Sequence, residues 1–366
     1  MINNIKKRPK ILSLFSGCGG LDLGFHLAGY ETIWANDFSH WACESFRKNF
    51  GDVIVEGDIE KIDPSSSNIP DCDIILGGFP CQDFSVIWKQ PGLDGERGNL
   101  YKSFLRFVAV KKPKVFVAEN VKGILTANKK RAIQQIIEDF ESCGYYVQAK
   151  LYNFAEFGVP QFRERVLIVG VRLDTGFNFR HPDPTHSDDP NSHLKPFVTA
   201  GEAIANIPQD ALNNELLKIS DKTKRMLEMI PEGGNFTDIP KDHPLYVKGM
   251  ISHVYRRMHR NQPAKTIIAA GGGGTWGYHY PEPRAFTNRE RARLQSFPDS
   301  FEFIGSTTEV RRQIGNAVPP QGVVALAKAI LPIFSDNYEK VDLYQKLQEE
   351  KDILFHHRLN KIRGGK

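Results

Sequence analysis

The first half of the chain alternates continuous apolar runs with stretches of helical spacing, and this alternation constrains the fold most. Five such runs, rich in β-branched residues, each end in polar residues or glycine: 10–16, 32–37, 52–58, 73–79 and 115–121. Continuous apolar strands separated by helices are typical of a parallel sheet covered on both faces. The runs at 146–153 and 166–172 follow with little helix between them, and they predict an antiparallel pair that finishes the sheet.

Composition excludes few classes of function. The 366 residues carry a net charge of +5, which permits a nucleic-acid partner without requiring one. The five cysteines form no C-x-x-C pair, and their odd number, without an apolar leader, indicates a reducing, cytoplasmic setting. No apolar run approaches the roughly 18 residues of a membrane span. The basic start of the chain is interpreted as a solvated tail rather than a targeting tag.

A change in composition divides the chain. The segment 181–196 is rich in Pro, His, Asp and Ser, as expected of a linker. A metal site at His181, His186 and His193 is disfavoured because no cysteine or regular spacing accompanies them. The predicted organisation is a catalytic, cofactor-binding first part, a small loop-rich domain, a return to the catalytic domain and a helical tail: 1–180, 181–285, 286–334 and 335–366.

A glycine-rich loop follows the first predicted strand and opens a helix. Gly17, Gly19 and Gly20 allow a tight turn and a close approach to a ligand at the helix N-terminus. Asp22 stands where the dinucleotide fingerprint has its third glycine. A pyrophosphate ligand is therefore less favoured than another nucleoside cofactor.

Acidic residues end the next two predicted strands. Asp37 lies 18 residues after Gly19, close to the offset at which an acid accepts hydrogen bonds from ribose hydroxyls. Phe38 could stack on an adenine, and Asp58 is placed to receive its amino group. Each acid alone could merely cap a helix. Together at consecutive strand ends they favour a cofactor of the adenosine type.

Reactive groups follow the later strands. Cys81 comes after the fourth strand, Glu119 ends the fifth, and Arg163 and Arg165 precede the seventh. Taken singly, Cys81 is more often a small buried hydrophobe and Glu119 a surface carboxylate. Because carboxyl ends of parallel strands share one sheet edge, these groups are expected to meet beside the nucleoside site.

Five motifs in this order carry a family resemblance: LFSGCGGLDLGF, GGFPCQ, ENV, QFRER and GNAVPP. The chain resembles the cytosine-5 DNA methyltransferase family over residues 10–332. The resemblance implies an α/β fold, with a Rossmann-like S-adenosylmethionine-dependent methyltransferase domain. It also implies a smaller, loop-rich target-recognition domain that faces the first across a DNA cleft.

The resemblance also implies roles for the reactive residues. Cys81 would add to carbon 6 of cytosine, which makes carbon 5 nucleophilic. Glu119 would hold a proton toward ring nitrogen 3, Arg163 would bind the base carbonyl, and Arg165 would support Glu119. The positions that match the cofactor site are Phe15, Gly17, Gly19, Asp37, Phe38, Asp58, Ile59, Pro80, Leu100, Asn316 and Val318.

DNA contacts are expected in two regions. The stretch 241–265 holds six basic residues against one acid and precedes a glycine-rich loop, and 82–98 resembles the mobile loop that closes over a flipped base. The resemblance also makes Arg257 and Thr266 structural anchors. The predicted DNA-binding residues are Gln82, Ser85, Lys89, Arg97, Tyr255, Arg256, Arg257, Arg260, Gly272 and Gly273.

The leading hypothesis is a monomeric, cytoplasmic enzyme that acts on double-stranded DNA as the modification partner of a restriction endonuclease. No membrane partner and no metal are expected. An RNA methyltransferase of the same family is one alternative, although the Cys-Phe-Thr signature of its tRNA-modifying branch is absent before the late motifs. The other alternative is a nucleotide-binding regulator or oxidoreductase that kept the fold without the transfer chemistry.

Overall fold

A central sheet organises the first half of the chain. The structure is a computed structural model that describes residues 7–80, 100–127, 131–246, 248–249, 254–269, 277–335 and 338–351. Within these ranges the sheet has seven strands: β1 Lys10–Leu14, β2 Glu31–Asp37, β3 Ile54–Glu56, β4 Ile74–Gly77, β5 Val115–Val121, β6 Tyr145–Asn153 and β7 Glu164–Arg172.

The strand order is β3-β2-β1-β4-β5-β7-β6. The first five strands are parallel, whereas β7 runs antiparallel to both β5 and β6. The parallel sheet and its antiparallel pair are therefore confirmed. The chain leaves β1 to one side for β2 and β3 and returns to the other side for β4, so the carboxyl ends of β1 and β4 form a topological switch point.

Helices cover both faces of this sheet. The helices are α1 Gly20–Leu27, α2 His40–Phe50, α3 Leu100–Lys111, α4 Arg131–Ser142, α5 Ala200–Ile204, α6 Asp221–Met229, α7 Asn288–Leu294, α8 Thr307–Asn316 and α9 Pro320–Ile330. Ile11 of β1 faces α1 and α9, and the next residue, Leu12, faces α3 and α4. Successive strand residues are thus buried on opposite faces, which is why the strands are apolar throughout.

A smaller hydrophobic cluster lies within residues 217–285. Met226 and Leu227 of α6 pack there with Phe236 and Tyr278. By contrast, α5 packs against α7 in a cluster that also holds Cys18 of the glycine loop. Residues of α5 therefore pack with the glycine loop and α7, although they follow the predicted linker. The boundaries at 181 and 285 stay a prediction.

The late helices pack into the main core. By length and composition the stretch Thr307–Phe334 could cross a membrane. Non-helical residues interrupt it at 317–319, and Val323, Leu326 and Ile330 of α9 are fully buried against β1 and α1. Its apolar character is explained by this position in the protein core.

The predicted C-terminal tail begins on the same core. Helical residues 343–351 follow a short irregular segment, and Leu343 is buried against the cluster that contains α9. The hydroxyl of Tyr146 donates a 2.6 Å hydrogen bond to Glu350. One side of the start of the tail thus packs on the main core through Leu343 and Leu347, whereas most of its other side chains are exposed.

Candidate active site

The glycine loop adopts left-handed backbone at three positions. Phe15, directly after β1, has φ 53°, and Gly17 and Gly19 have φ 55° and 92°. A left-handed phenylalanine is strained, and such residues cluster at ligand sites. A Cβ at Gly20 would collide with the carbonyl of Val318, so this loop and the GNAVPP turn pack closely. Two of the predicted cofactor segments therefore meet.

Asp37 fixes the loop from the neighbouring strand. Its Oδ2 accepts a 2.8 Å hydrogen bond from the main-chain N–H of Gly17, and its Oδ1 accepts one of 2.9 Å from Ser39. Burial raises the pKa of this carboxyl. Each carboxylate oxygen has a second lone pair, so Asp37 can still accept hydrogen bonds from ribose hydroxyls.

The other predicted cofactor residues surround this edge. Phe38 is 78% exposed, so its ring is open to stacking. Asp58 is exposed and accepts a 3.0 Å hydrogen bond from the N–H of Glu60, so one carboxylate oxygen caps the 3₁₀ helix Ile59–Lys61. Ile59 and Val318 are buried, Pro80 and Leu100 are half-buried, and Asn316 is exposed at the end of α8. The residues present fit an adenosine-containing methyl donor.

Replacing Phe38 by alanine should raise the Kd for S-adenosylmethionine about tenfold, since stacking on an aromatic ring contributes roughly 1–3 kcal/mol per base. Thermal stability should not change, because the ring contributes little to the core. Isothermal titration calorimetry measures the affinity. Leu27→Ala, which removes another exposed apolar side chain, is the matched control and should bind like the wild type. Unchanged affinity in Phe38→Ala would exclude the ring from the site.

A buried ion pair joins the ends of β5 and β7. Nε of Arg165 lies 2.8 Å from Oε1 of Glu119, and these side chains are only 16% and 13% exposed. Burial raises the pKa of Glu119, and the positive charges of Arg165 and Arg163 oppose this rise. A Cβ on Gly78, after β4, would lie 3.1 Å from the other carboxylate oxygen. The segment that leads to Cys81 therefore passes directly by Glu119.

Arg163 is arranged differently from the prediction. It is 1% exposed, and its terminal nitrogens donate to the main-chain carbonyls of Ile267, Gly315 and Ala317 at 2.9–3.1 Å. Burial lowers its pKa to about 9. Its terminal nitrogens thus anchor main-chain segments, whereas its buried Nε has no hydrogen-bond partner among the described residues, and Arg165 is the arginine paired with Glu119. The expected role of Arg163 at the base carbonyl stays a prediction.

Two glutamines that belong to this anchor were not predicted from the sequence. Gln161 is fully buried, accepts a 2.8 Å hydrogen bond from the N–H of Ile267 and donates one of 2.9 Å to Gln295. Gln295 in turn donates to the carbonyl of Ile314 at 2.5 Å. Gln161 opens the QFRER motif, so the sequence did mark this position. No local pattern, however, shows which distant groups a buried glutamine contacts.

Comparisons with known proteins decide the family. The sequence model of the C-5 cytosine-specific DNA methylase family matches residues 9–332. The chain belongs to this family. It is 85% identical to the type II methyltransferase M.NgoFVII of Neisseria gonorrhoeae, over all of this chain and 98% of that protein. It is also 41% identical to M.BbvI of Brevibacillus brevis, over 93% of this chain and 98% of that protein.

A solved structure supports the fold. A structure assigned to a DNA modification methyltransferase of an E. coli prophage aligns with a TM-score of 0.67 at 23% identity. It covers 89% of this chain and 99% of that one. The Rossmann-like methyltransferase fold is confirmed. The protein is a DNA (cytosine-5-)-methyltransferase of the type II restriction-modification class.

The methyltransferase holds its predicted DNA-binding arginines in two different ways. Arg257 is buried and donates to the carbonyls of Leu227, Ile230, His279 and Tyr280. These contacts have the geometry of the anchor that the resemblance implies, and its assignment to the DNA-binding residues stays a prediction. Thr266 is hydrogen-bonded to the carbonyl of Phe162 at 2.8 Å.

Arg260 and Tyr255 remain candidates for DNA contact. Arg260 is half exposed, pairs with Glu232 at 3.0 Å and lies 5.0 Å over the ring of Tyr280. Tyr255 has a left-handed φ of 50° and stacks on Tyr278. Arg256 is half-buried beside them. The other predicted positions lie outside the described residues: Cys81, Gln82, Ser85, Lys89, Arg97, Gly272 and Gly273.

Substitution of Arg257 should lower stability, whereas substitution of Arg260 should weaken DNA binding. Arg257→Lys keeps the charge but loses the planar fork, so several carbonyls lose their donor and stability should fall by about 3 kcal/mol. Arg260→Gln should leave the melting temperature unchanged. It should weaken DNA binding and reduce the salt dependence of log K by about one phosphate contact. Thermal unfolding and DNA titrations across salt concentrations measure both. A stable Arg257→Lys variant with weakened DNA binding would reverse the assignment.

In the part of the chain that the structure describes, no group of three or more His, Cys, Asp and Glu side chains is arranged to hold a metal ion. Nδ1 of His181 instead lies 2.8 Å from the hydroxyl of Tyr152. Burial lowers the pKa of His181 to about 4, so the ring is neutral at physiological pH. The linker histidine thus has a structural contact with β6.

Proposed function

We propose that this enzyme transfers a methyl group from S-adenosylmethionine to carbon 5 of a flipped cytosine within a specific short duplex DNA sequence, through a covalent Cys81 adduct at carbon 6. The observation that carries this proposal is the buried Glu119–Arg165 pair. This pair lies beside the end of β4, which leads to Cys81, and at the same edge of the sheet as the glycine loop.

The methyl donor is assigned to the loop around Phe15–Gly19, with Asp37 for the ribose hydroxyls and Phe38 for the adenine. Asn316 and Val318 close the site from the GNAVPP turn. When bound, S-adenosylmethionine supplies the electrophilic methyl group. One carboxylate oxygen of Asp58 accepts the N–H of Glu60, and the other would accept a hydrogen bond from the adenine amino group.

The chain's own residues prepare the base. The sulfur of deprotonated Cys81 forms a bond to carbon 6 as the carbon 5–carbon 6 double bond breaks, which makes carbon 5 nucleophilic. Burial raises the pKa of Glu119 and so favours its protonated form, in which the carboxyl would donate toward ring nitrogen 3 and offset the developing negative charge. After methylation, carbon 5 loses its proton to solvent, the carbon–sulfur bond breaks and the double bond returns.

Arg165 replaces Arg163 in the proposed contact with the base. Its Nε holds Glu119, and one terminal nitrogen donates to the carbonyl of Glu164 at 2.7 Å. The fork of a guanidinium can hold a carboxylate and a base carbonyl at once. Arg163 keeps the surrounding segments in place.

The wider assignments are also proposals. The target carbon is inaccessible in stacked DNA, so the chemistry requires base flipping. The region around Tyr255–Arg260 would supply contacts to the duplex. We assign the enzyme the role of protecting DNA from a cognate restriction endonuclease. It would act as a monomer in the cytoplasm.

The test uses purified enzyme with radiolabelled S-adenosylmethionine. Label should enter plasmid DNA but not tRNA, and DNA containing 5-fluorocytosine at the target should form a covalent complex. Bisulfite sequencing of DNA from expressing cells locates the modified cytosine. Label in tRNA alone would favour an RNA methyltransferase. Cofactor binding without a covalent complex or methyl transfer would favour a regulator.

A further inference from the structure

A buried carboxylate lies beneath the glycine loop and has no role in the proposed chemistry. Asp22, in the first turn of α1, is 0% exposed. Its Oδ2 accepts a 2.8 Å hydrogen bond from the hydroxyl of Ser13, and its Oδ1 accepts one of 2.8 Å from Thr32. Both donors are neutral. This is the residue that stands where the dinucleotide fingerprint has its third glycine.

The two donors lie on the strands that carry the methyl-donor site. Ser13 is in β1, two residues before the left-handed Phe15, and Thr32 is in β2, which ends at Asp37. The pairing of these strands shifts register between Ile11 and Leu12, opposite Thr32 and Trp34. Asp22 thus bonds to β2 before this irregularity and to β1 after it.

Irregular strand pairing re-aims the residues that follow it. In this protein those residues are the glycine loop and Asp37, which are joined by the Gly17–Asp37 hydrogen bond. We propose that Asp22 is a positioning residue for the methyl-donor site: its carboxylate holds β1 and β2 on either side of the irregularity and so sets the loop against Asp37. This inference rests on the proposed function of that site.

Energetics favour a functional reason for this acid. A buried carboxylate without a positively charged partner is costly, and burial raises the pKa of Asp22 to about 6 although Ser13, Thr32 and a main-chain N–H donate to it. Its raised pKa means that the charged form destabilises the folded protein above this pH. Desolvation of the charged carboxylate therefore works against stability, so an acid here calls for a further explanation. Holding two strands with one bidentate acceptor provides one.

The test compares Asp22→Ala and Asp22→Asn with the wild type in the full-length protein. Titration calorimetry gives the Kd for S-adenosylmethionine and for S-adenosylhomocysteine, and thermal unfolding at pH 8 gives stability. Asp22→Ala should raise both Kd values about tenfold. Asp22→Asn keeps the side-chain shape but replaces one of the two accepting oxygens by an amide group. Affinity for both compounds should therefore fall severalfold, while the melting temperature stays equal or rises.

Tyr30→Phe is the matched control. It removes a buried hydroxyl, bonded to the carbonyl of Ala327 at 2.9 Å, from the same helix–strand connection. It should lower the melting temperature and change the Kd values less than about twofold. Wild-type affinity in both Asp22 variants, or an equal loss in Tyr30→Phe, would overturn this inference alone. A wild-type enzyme that binds neither compound would overturn the proposed function as well.

Discussion

Cys81→Ser should lower the methylation rate by at least about a thousandfold, because removal of a catalytic nucleophile has effects of this size or larger. The serine hydroxyl has a far higher pKa than a thiol, so almost none of it is ionised for addition to carbon 6. The measurement is single-turnover transfer of labelled methyl to duplex DNA. Binding of DNA and cofactor should persist, since the change is one atom.

Cys143→Ser provides the matched control for the thiol. Cys143 is a free cysteine just after α4, away from the sheet edge that holds Glu119, and its replacement should leave the rate unchanged. The variant Cys81→Ser should also fail to form a covalent complex with 5-fluorocytosine DNA. Full turnover by Cys81→Ser would refute the covalent mechanism.

Glu119→Gln should reduce the same rate by about 10²–10⁴-fold, the usual contribution of a positioned acid. Glutamine keeps the shape and can hydrogen-bond to the base, but it cannot supply a proton. Because burial raises the pKa of Glu119, more of this carboxyl is protonated at a given pH than of an ordinary glutamate. The wild-type rate should therefore fall as pH rises through that pKa, and Glu119→Gln should lack this dependence.

Glu164→Gln is the matched control for the acid. Glu164 lies next to Arg165 in the chain but is exposed and pairs with Lys122 at 2.9 Å. Its substitution should preserve both the rate and the pH profile, since a surface ion pair contributes little. If Glu164→Gln lost as much activity as Glu119→Gln, general electrostatics around Arg165 rather than proton donation would explain the result.

Local patterns were sufficient for the sheet and for the place of the site. Continuous apolar strands require cover on both faces, and the carboxyl ends of parallel strands meet at one edge wherever the connecting helices lie. Glu119 could therefore be placed at the same sheet edge as the glycine loop before any coordinates. The glycines predicted a tight turn, and the structure shows that this turn uses left-handed backbone at Gly17, Gly19 and also Phe15.

The roles of the arginines could not be predicted from local sequence patterns. Arg163 and Arg165 differ by two positions in one motif, and only the packed structure shows that one is bound to distant carbonyls and the other to Glu119. Arg257 and Arg260 repeat this contrast. A sequence shows that a residue carries a charge, but burial and the nearest acceptors decide what the charge does.

The sequence by itself determined the fold class, the family and the strand ends to which we assign the site, because these depend on periodicity and on ordered motifs. Tertiary structure alone decided which side chains are anchors and which are available to a ligand. Asp22 shows the difference most clearly. In the sequence it is a mismatch to a glycine fingerprint, whereas in the structure it is a buried acceptor between two strands. The reason is that hydrogen-bond partners brought together from separate segments exist only after the chain has packed.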